Sequence, residues 1–199
     1  DQTPFYGNSG GQIGDTGYIA SANEKVDIIA TEKENGLIIH VTTALPENVE
    51  AEFEAVVNPA ARQAAANNHT ATHLLHAALH TVLGQDVHQS GSAVDPERLR
   101  FDFNYPHGVS KEDLLRIEGL VNEMILGAYP VQKEVKSLDQ ARAEGAIALF
   151  GEKYGSEVRT VEVRGPQGRI SYELGGGTHV DNTVEIASFY ITAESSVAA

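Results

Sequence analysis

The chain has 199 residues, of which 41% are hydrophobic and 21% charged, enough to bury a core within one large or two small domains. Lys+Arg 14 against Asp+Glu 28 give a net charge of −14, which argues against a nucleic-acid binder held by general phosphate attraction and restricts any such contact to a local patch. Cysteine is absent, so disulfides, thiolate nucleophiles and thiolate metal sites are excluded, and a metal would need His or carboxylate ligands.

No apolar run approaches the roughly 18 to 20 residues that span a bilayer. The longest lies around residues 146–150, and the chain reads as soluble. The opening Asp1-Gln2-Thr3-Pro4-Phe5 has neither an initiator Met nor a signal-peptide layout, and residues 195–199 carry no closing motif, so both ends read as cut from a longer protein.

Residues 1–57 read as β: segments 26–31 and 37–43, and Val49, Ala51, Phe53, Ala55 and Val57 alternating with Glu50, Glu52 and Glu54. Dense glycines at 7, 10, 11, 14 and 17 mark turns and close backbone approach, and a small twisted β-barrel or sheet is expected. At Asn58-Pro59 the period turns helical. Asn58 can cap, Pro59 suits the first helical position and Gly84 stops the run, which predicts one helix over 59–83. Leu99, Phe101 and Phe103 alternate as a strand does. Ser110 and Asp113 form a capping-box pattern before a second helix ending near Leu126. Short strands follow at 130–136, 157–164, 169–174 and 184–192, with a short helix starting near Ser137. Helices and antiparallel strands without a βαβ rhythm argue α+β, with a long helix on a mostly antiparallel sheet and a domain boundary near residue 58, giving units 1–58 and 59–199.

Within the long helix, His69, His73, His76 and His80 are spaced by four, three and four residues, which puts all four imidazoles on one stripe. Two histidines four apart can reach one ion, and the spacing leaves two candidate pairs, His69/His73 and His76/His80. Thr70 stands where the metalloprotease helix has its general-base Glu, so the segment is not that motif. Histidines on an exposed face are the alternative. A third ligand has to come from elsewhere, and His179 is the best candidate: it follows Gly175-Gly176-Gly177-Thr178, where consecutive glycines let backbone approach a substrate or metal.

Several motifs carry a resemblance to a known family. Thr3-Pro4-Phe5-Tyr6, Ser9-Gly10-Gly11-Gln12 with Gly14-Asp15, the HTATHLL segment from His69, Leu99-Arg100-Phe101-Asp102-Phe103, Gly176-Gly177-Thr178-His179 and Glu194-Ser195-Ser196 occur in the order found in the editing region of alanyl-tRNA synthetases, across essentially the whole chain. The resemblance also extends to freestanding editing deacylases. It implies zinc held by His69, His73 and His179, with His76 and His80 structural. Gly175 stands at the family's Cys position, so one ligand is missing, and three imidazoles plus water remain a feasible open tetrahedral site.

The resemblance further implies hydrolysis of the ester that joins Ser or Gly to tRNA(Ala), in a cytoplasmic protein. An alanine pocket excludes Gly poorly and rejects an added hydroxyl weakly, so a second, hydrolytic sieve is needed. Thr72 and Gln89 match family positions at the substrate side chain and the catalytic pocket; Thr72 is the candidate for reading the serine hydroxyl and Gln89 for orienting substrate or water, with a helix-surface Thr and a loop Gln as the plainer readings. Amides of Gly176 and Gly177 are candidates for stabilising the oxyanion. The glycine-rich loop at 9–12 faces the pocket in the family, although a tight turn is its simpler reading. Arg62, Arg98, Arg100, Lys111 and Arg116 offer local positive charge for a tRNA end, with solvated surface charge as the commoner explanation of each. The remaining synthetase domains would be partners. A non-catalytic scaffold that lost its metal with Gly175 is the alternative of a different class.

Overall fold

A computed structural model of the chain describes residues 2–148 and 154–196; parts of the apolar run at 146–150 and of the terminal 195–199 lie outside the described residues. Among the described residues, no helix is long and apolar enough to cross a membrane.

Strands β1 (Gly17–Ala20), β2 (Lys25–Glu34), β3 (Leu37–Thr42) and β4 (Glu54–Val57) form one antiparallel sheet in the order β3-β2-β1-β4. Its edge strands β3 and β4 do not pair with each other, so the expected barrel is instead an open sheet. The strand expected over 49–57 is also shorter than its alternation suggests. Only the stretch opposite the four residues of β1 finds a ladder. Upstream, the Glu24 carboxylate accepts from the amides of Glu47 (2.9 Å) and Asn48 (3.3 Å), and Asn48 Oδ1 accepts from Glu50 N (3.1 Å), which spends those amides on a turn and leaves Val49 exposed.

Helix α1 (Pro59–Leu83) has the bounds its capping signals predict. Asn58 Oδ1 accepts from Ala61 N (3.2 Å), Pro59 occupies the first turn where no donor is needed, and Gly84, at φ 111°, donates back to His80 O. The unpredicted β5 (Gln89–Val94) forms an antiparallel hairpin with β6 (Leu99–Phe103). Helix α2 (Lys111–Leu126) starts with half of a capping box. Ser110 Oγ accepts from Asp113 N (3.0 Å), but the Asp113 carboxylate accepts from that same hydroxyl (2.8 Å) instead of from the Ser110 amide.

Strands β7 (Val131–Ser137), β8 (Glu157–Gly165) and β9 (Gly168–Leu174), with α3 (Leu138–Ala143) between the first two, complete an α+β fold; the three strands are antiparallel in chain order. The main core joins α1 (Leu74, Ala78), α2 (Ile117, Val121, Ile125) and β8 (Val161, Val163), all fully buried. Burying each of the larger aliphatic side chains there contributes about 1.5–3 kcal/mol.

The strand expected at 184–192 is absent. Asn182 and Glu185 form a capping box that starts a 3₁₀ turn (Thr183–Ile186). Beyond it the backbone is satisfied by side chains of α2: Asn122 accepts from Phe189 N (2.9 Å) and donates to Phe189 O (2.8 Å), while Glu118 accepts from Ile191 N (2.7 Å). With its polar groups taken by a helix, this segment needs no strand partner.

Candidate metal centre

The middle of α1 is buried on all sides, so His69, His73 and His76 lie inside the protein and not on an exposed face. Spacings of four residues stack His69 above His73 on one side of the helix. The turn after β9 brings His179 against them: ring centroids are 4.4 Å apart for His69 and His179, and 4.8 Å for His73 and His179. One ring nitrogen from each of the three lies within 4.8 Å of the others. His76 and His80 turn away. His76 Nδ1 meets Glu173 Oε1 at 3.0 Å, and His80 Nε2 meets Val87 O at 2.7 Å, so the second candidate pair is engaged elsewhere.

Electrostatics favour neutral rings. Burial pushes His69 down to about 3, helped by His73, and lowers His73 and His179 in the same direction. Neutral imidazoles keep a lone pair for a cation. His73 Nδ1 and His179 Nε2 are buried without a hydrogen-bond partner among the described residues, a costly arrangement that a bound cation would relieve. Three neutral nitrogens converging in this way suit a metal with nitrogen preference. At Gly175, a Cβ would point at His73 Cε1 and His179 Nε2, 3.4 Å from each, with Val161 Cγ2 at 3.0 Å. Its backbone lies outside the left-handed region, so a side chain there would project straight into the cluster.

Two of the three rings, His69 and His73, line a cleft of about 370 Å³, with His179 buried against them. The cleft wall includes His69, Thr72, His73, Gln89, Glu173, Gly175 and Gly176, with Lys33 and Arg159 as its cations. Thr72 is buried, and its hydroxyl donates to Asn68 O (2.9 Å). Gln89 opens β5 at the cleft edge. Gly176 is exposed there, whereas Gly177 is buried beneath, and Arg159 holds the turn through Gly175 O (3.0 Å) and Gly177 O. Of the cations considered for a local positive patch, Arg62 pairs with the buried Asp15 (Nε to Oδ1, 2.9 Å), and Arg100 and Arg116 pair with Asp102 and Asp113.

Comparison with known proteins fits this geometry. Residues 1–58 match the family described as tRNA synthetases class II (A), and residues 158–199 match the threonyl and alanyl tRNA synthetase second additional domain. The whole chain is 47% identical to an alanine–tRNA ligase of Parabacteroides distasonis, 47% to one of Synechocystis sp. and, over 200 residues, 50% to one of Saccharophagus degradans, covering 22% of each. Over its whole length the chain is homologous to alanine–tRNA ligases. It spans about a fifth of the length of the alanine–tRNA ligases it matches, and corresponds to their region containing the second additional domain.

Two members of this site are not among the candidate site residues of the sequence. Glu173 is a buried carboxylate, 3.9 Å from His73 Nε2; burial opposes its ionised form, and the hydrogen bond with His76 favours it and draws the carboxyl below the usual range. The signal available for it was a charged residue in a strand leading straight into the glycine turn. Gln12, fully buried, touches both His69 and Thr178. Its only signal was the glycine-rich segment around it.

Proposed function

We propose that the chain is an editing module that hydrolyses the ester joining Ser or Gly to the 3′ end of tRNA(Ala). The observation that carries this reading is the convergence of three neutral, buried imidazoles, two of which, His69 and His73, open onto a cleft lined by hydroxyl, amide and glycine backbone groups. The cleft volume suits a small ligand, for which about 300–1,000 Å³ is typical.

His69, His73 and His179 would hold zinc, which when bound polarises an ester carbonyl and acidifies water. Thr72 spends its only proton on Asn68 O, so its Oγ1 offers lone pairs to the hydroxyl of a serine substrate. Alanine leaves that acceptor unpaired, at about 1–3 kcal/mol, which is the direction a proofreading sieve requires. Gln89 orients substrate or water through its amide. The amides of Gly176, which lines the cleft, and of the neighbouring Gly177 would serve as donors to the developing oxyanion. Glu173 lies between the cluster and His76, 3.9 Å from His73 Nε2 and 3.0 Å from His76 Nδ1. Lys33 at the cleft of this otherwise acidic protein supplies positive charge for the phosphate nearest the tRNA 3′ end. tRNA(Ala) and the other synthetase domains are the partners, in the cytoplasm.

Incubating the zinc-loaded protein with Ser-tRNA(Ala), Gly-tRNA(Ala) and Ala-tRNA(Ala) tests this. Release of Ser or Gly with Ala-tRNA(Ala) spared is expected. Absence of both metal binding and turnover would instead support a tRNA-binding scaffold.

A further inference from the structure

The structure assigns Gln12 as a positioning residue that fixes the tautomer of His69 and ties it to the glycine turn. Its side chain makes three contacts: Oε1 accepts from Thr178 N (2.8 Å), Nε2 donates to Thr178 Oγ1 (2.8 Å), and Oε1 faces His69 Nδ1 at 2.7 Å. The Thr178 amide can only donate, so the atom it meets must be the Gln12 oxygen and not the nitrogen. An amide oxygen can only accept. His69 Nδ1 must therefore carry the proton, and Nε2 is left as the bare lone pair. This is how an outer partner selects the ligating nitrogen of a metal-binding histidine.

The loop carrying Gln12 is built to hold it there. Gly11 O accepts from Val94 N (2.7 Å) and Ile13 N donates to Val94 O (2.9 Å), so the residues on both sides of Gln12 are pinned to β5. Gly177 leaves the space that Gln12 and His69 fill, since a Cβ there would overlap the His69 ring and lie 2.6 Å from Gln12 Oε1. The segment at 9–15 thus completes the ligand set from outside it. This assignment rests on the proposed site, but its test does not depend on deacylation.

Nitrogen-15 spectra of the metal-free protein read the His69 tautomer directly, and zinc titration against a chelator reads its consequence. In the native protein His69 should be protonated at Nδ1. Gln12→Glu keeps an acceptor toward both His69 and Thr178 N, so it should keep that tautomer and the zinc affinity. Gln12→Leu should lose the tautomer preference and bind zinc about ten- to hundredfold more weakly. An Nε2-protonated His69 in the native protein overturns the assignment without any variant. So does a Gln12→Leu protein that melts earlier yet keeps tautomer and affinity, and so does a Gln12→Glu protein as impaired as Gln12→Leu. Absence of Ser-tRNA(Ala) hydrolysis alongside the expected spectra would count against the editing reading alone.

Discussion

Adjacent glycines in the turn after β9 should respond to the same substitution in opposite ways. In Gly177→Ala the new methyl overlaps the His69 ring and crowds Gln12 Oε1 at 2.6 Å, so ring and amide have to separate. Overpacking of this kind costs about 1–3 kcal/mol, and loss of the Gln12–His69 hydrogen bond adds about 1 kcal/mol. The total, about 2–4 kcal/mol, corresponds to a Tm lower by about 4–16 °C for a chain of this size. Gly176→Ala meets nothing within 4 Å and has no left-handed backbone to strain, so its Tm should stay within about 2 °C of the native protein. Calorimetry of both variants, with zinc titration of each, checks this. Equal melting temperatures, or full zinc affinity in Gly177→Ala, would refute the close packing of His69 against the turn.

Gly175→Cys should strengthen zinc binding and add a sulfur ligand visible by X-ray absorption, because its Cβ points between His73 and His179 with only Val161 to shift; unchanged affinity would count against that direction. In the metal-free protein, His69, His73 and His179 have pKa values depressed on folding, so the unfolded chain binds protons that the fold does not. Stability is then fully present above pH about 6.5 and lost as pH falls toward the folded values, His69 alone contributing a slope of about 1.4 kcal/mol per pH unit down to about 3. Urea unfolding at pH 7 and 5 reads this, and a flat profile would contradict it. Glu173→Ala strips the buried His76 of its acceptor and should cost about 1.5–3 kcal/mol in urea unfolding; a neutral result would show that this buried hydrogen bond does not stabilise the fold. His179→Ala should abolish Ser-tRNA(Ala) hydrolysis, and undiminished turnover would remove it from the site.

What the chain reveals in one dimension follows the range of its interactions. The bounds of α1 were legible because Asn58, Pro59 and Gly84 act within one turn of the ends they set. Likewise, the four-residue spacing of His69 and His73 already fixes their shared side of the helix, and His179 stood out by its place after the glycine run, although only the family resemblance joined it to that pair. Spacing could not separate that pair from His76 and His80, since the choice is made by Glu173 and Val87 O, neither of them on α1. Residues 184–192 alternate like a strand, yet their partner is Asn122, Glu118 and the start of a 3₁₀ turn, and alternation carries no information about partners. Val49 fails for the same reason, because β1 is too short to reach it. Gln12 was hidden by distance. Its partners lie 57 and 166 residues away, and a glutamine in a glycine loop gives no local hint of them.

X-ray absorption at the zinc edge of the loaded native protein addresses the centre most directly. One zinc per chain is expected, with three imidazole nitrogens at about 2.0–2.1 Å, one oxygen and no sulfur, and with that shell lost in His179→Ala. A chain that takes up no stoichiometric zinc, or whose zinc keeps its shell without His179, would contradict it.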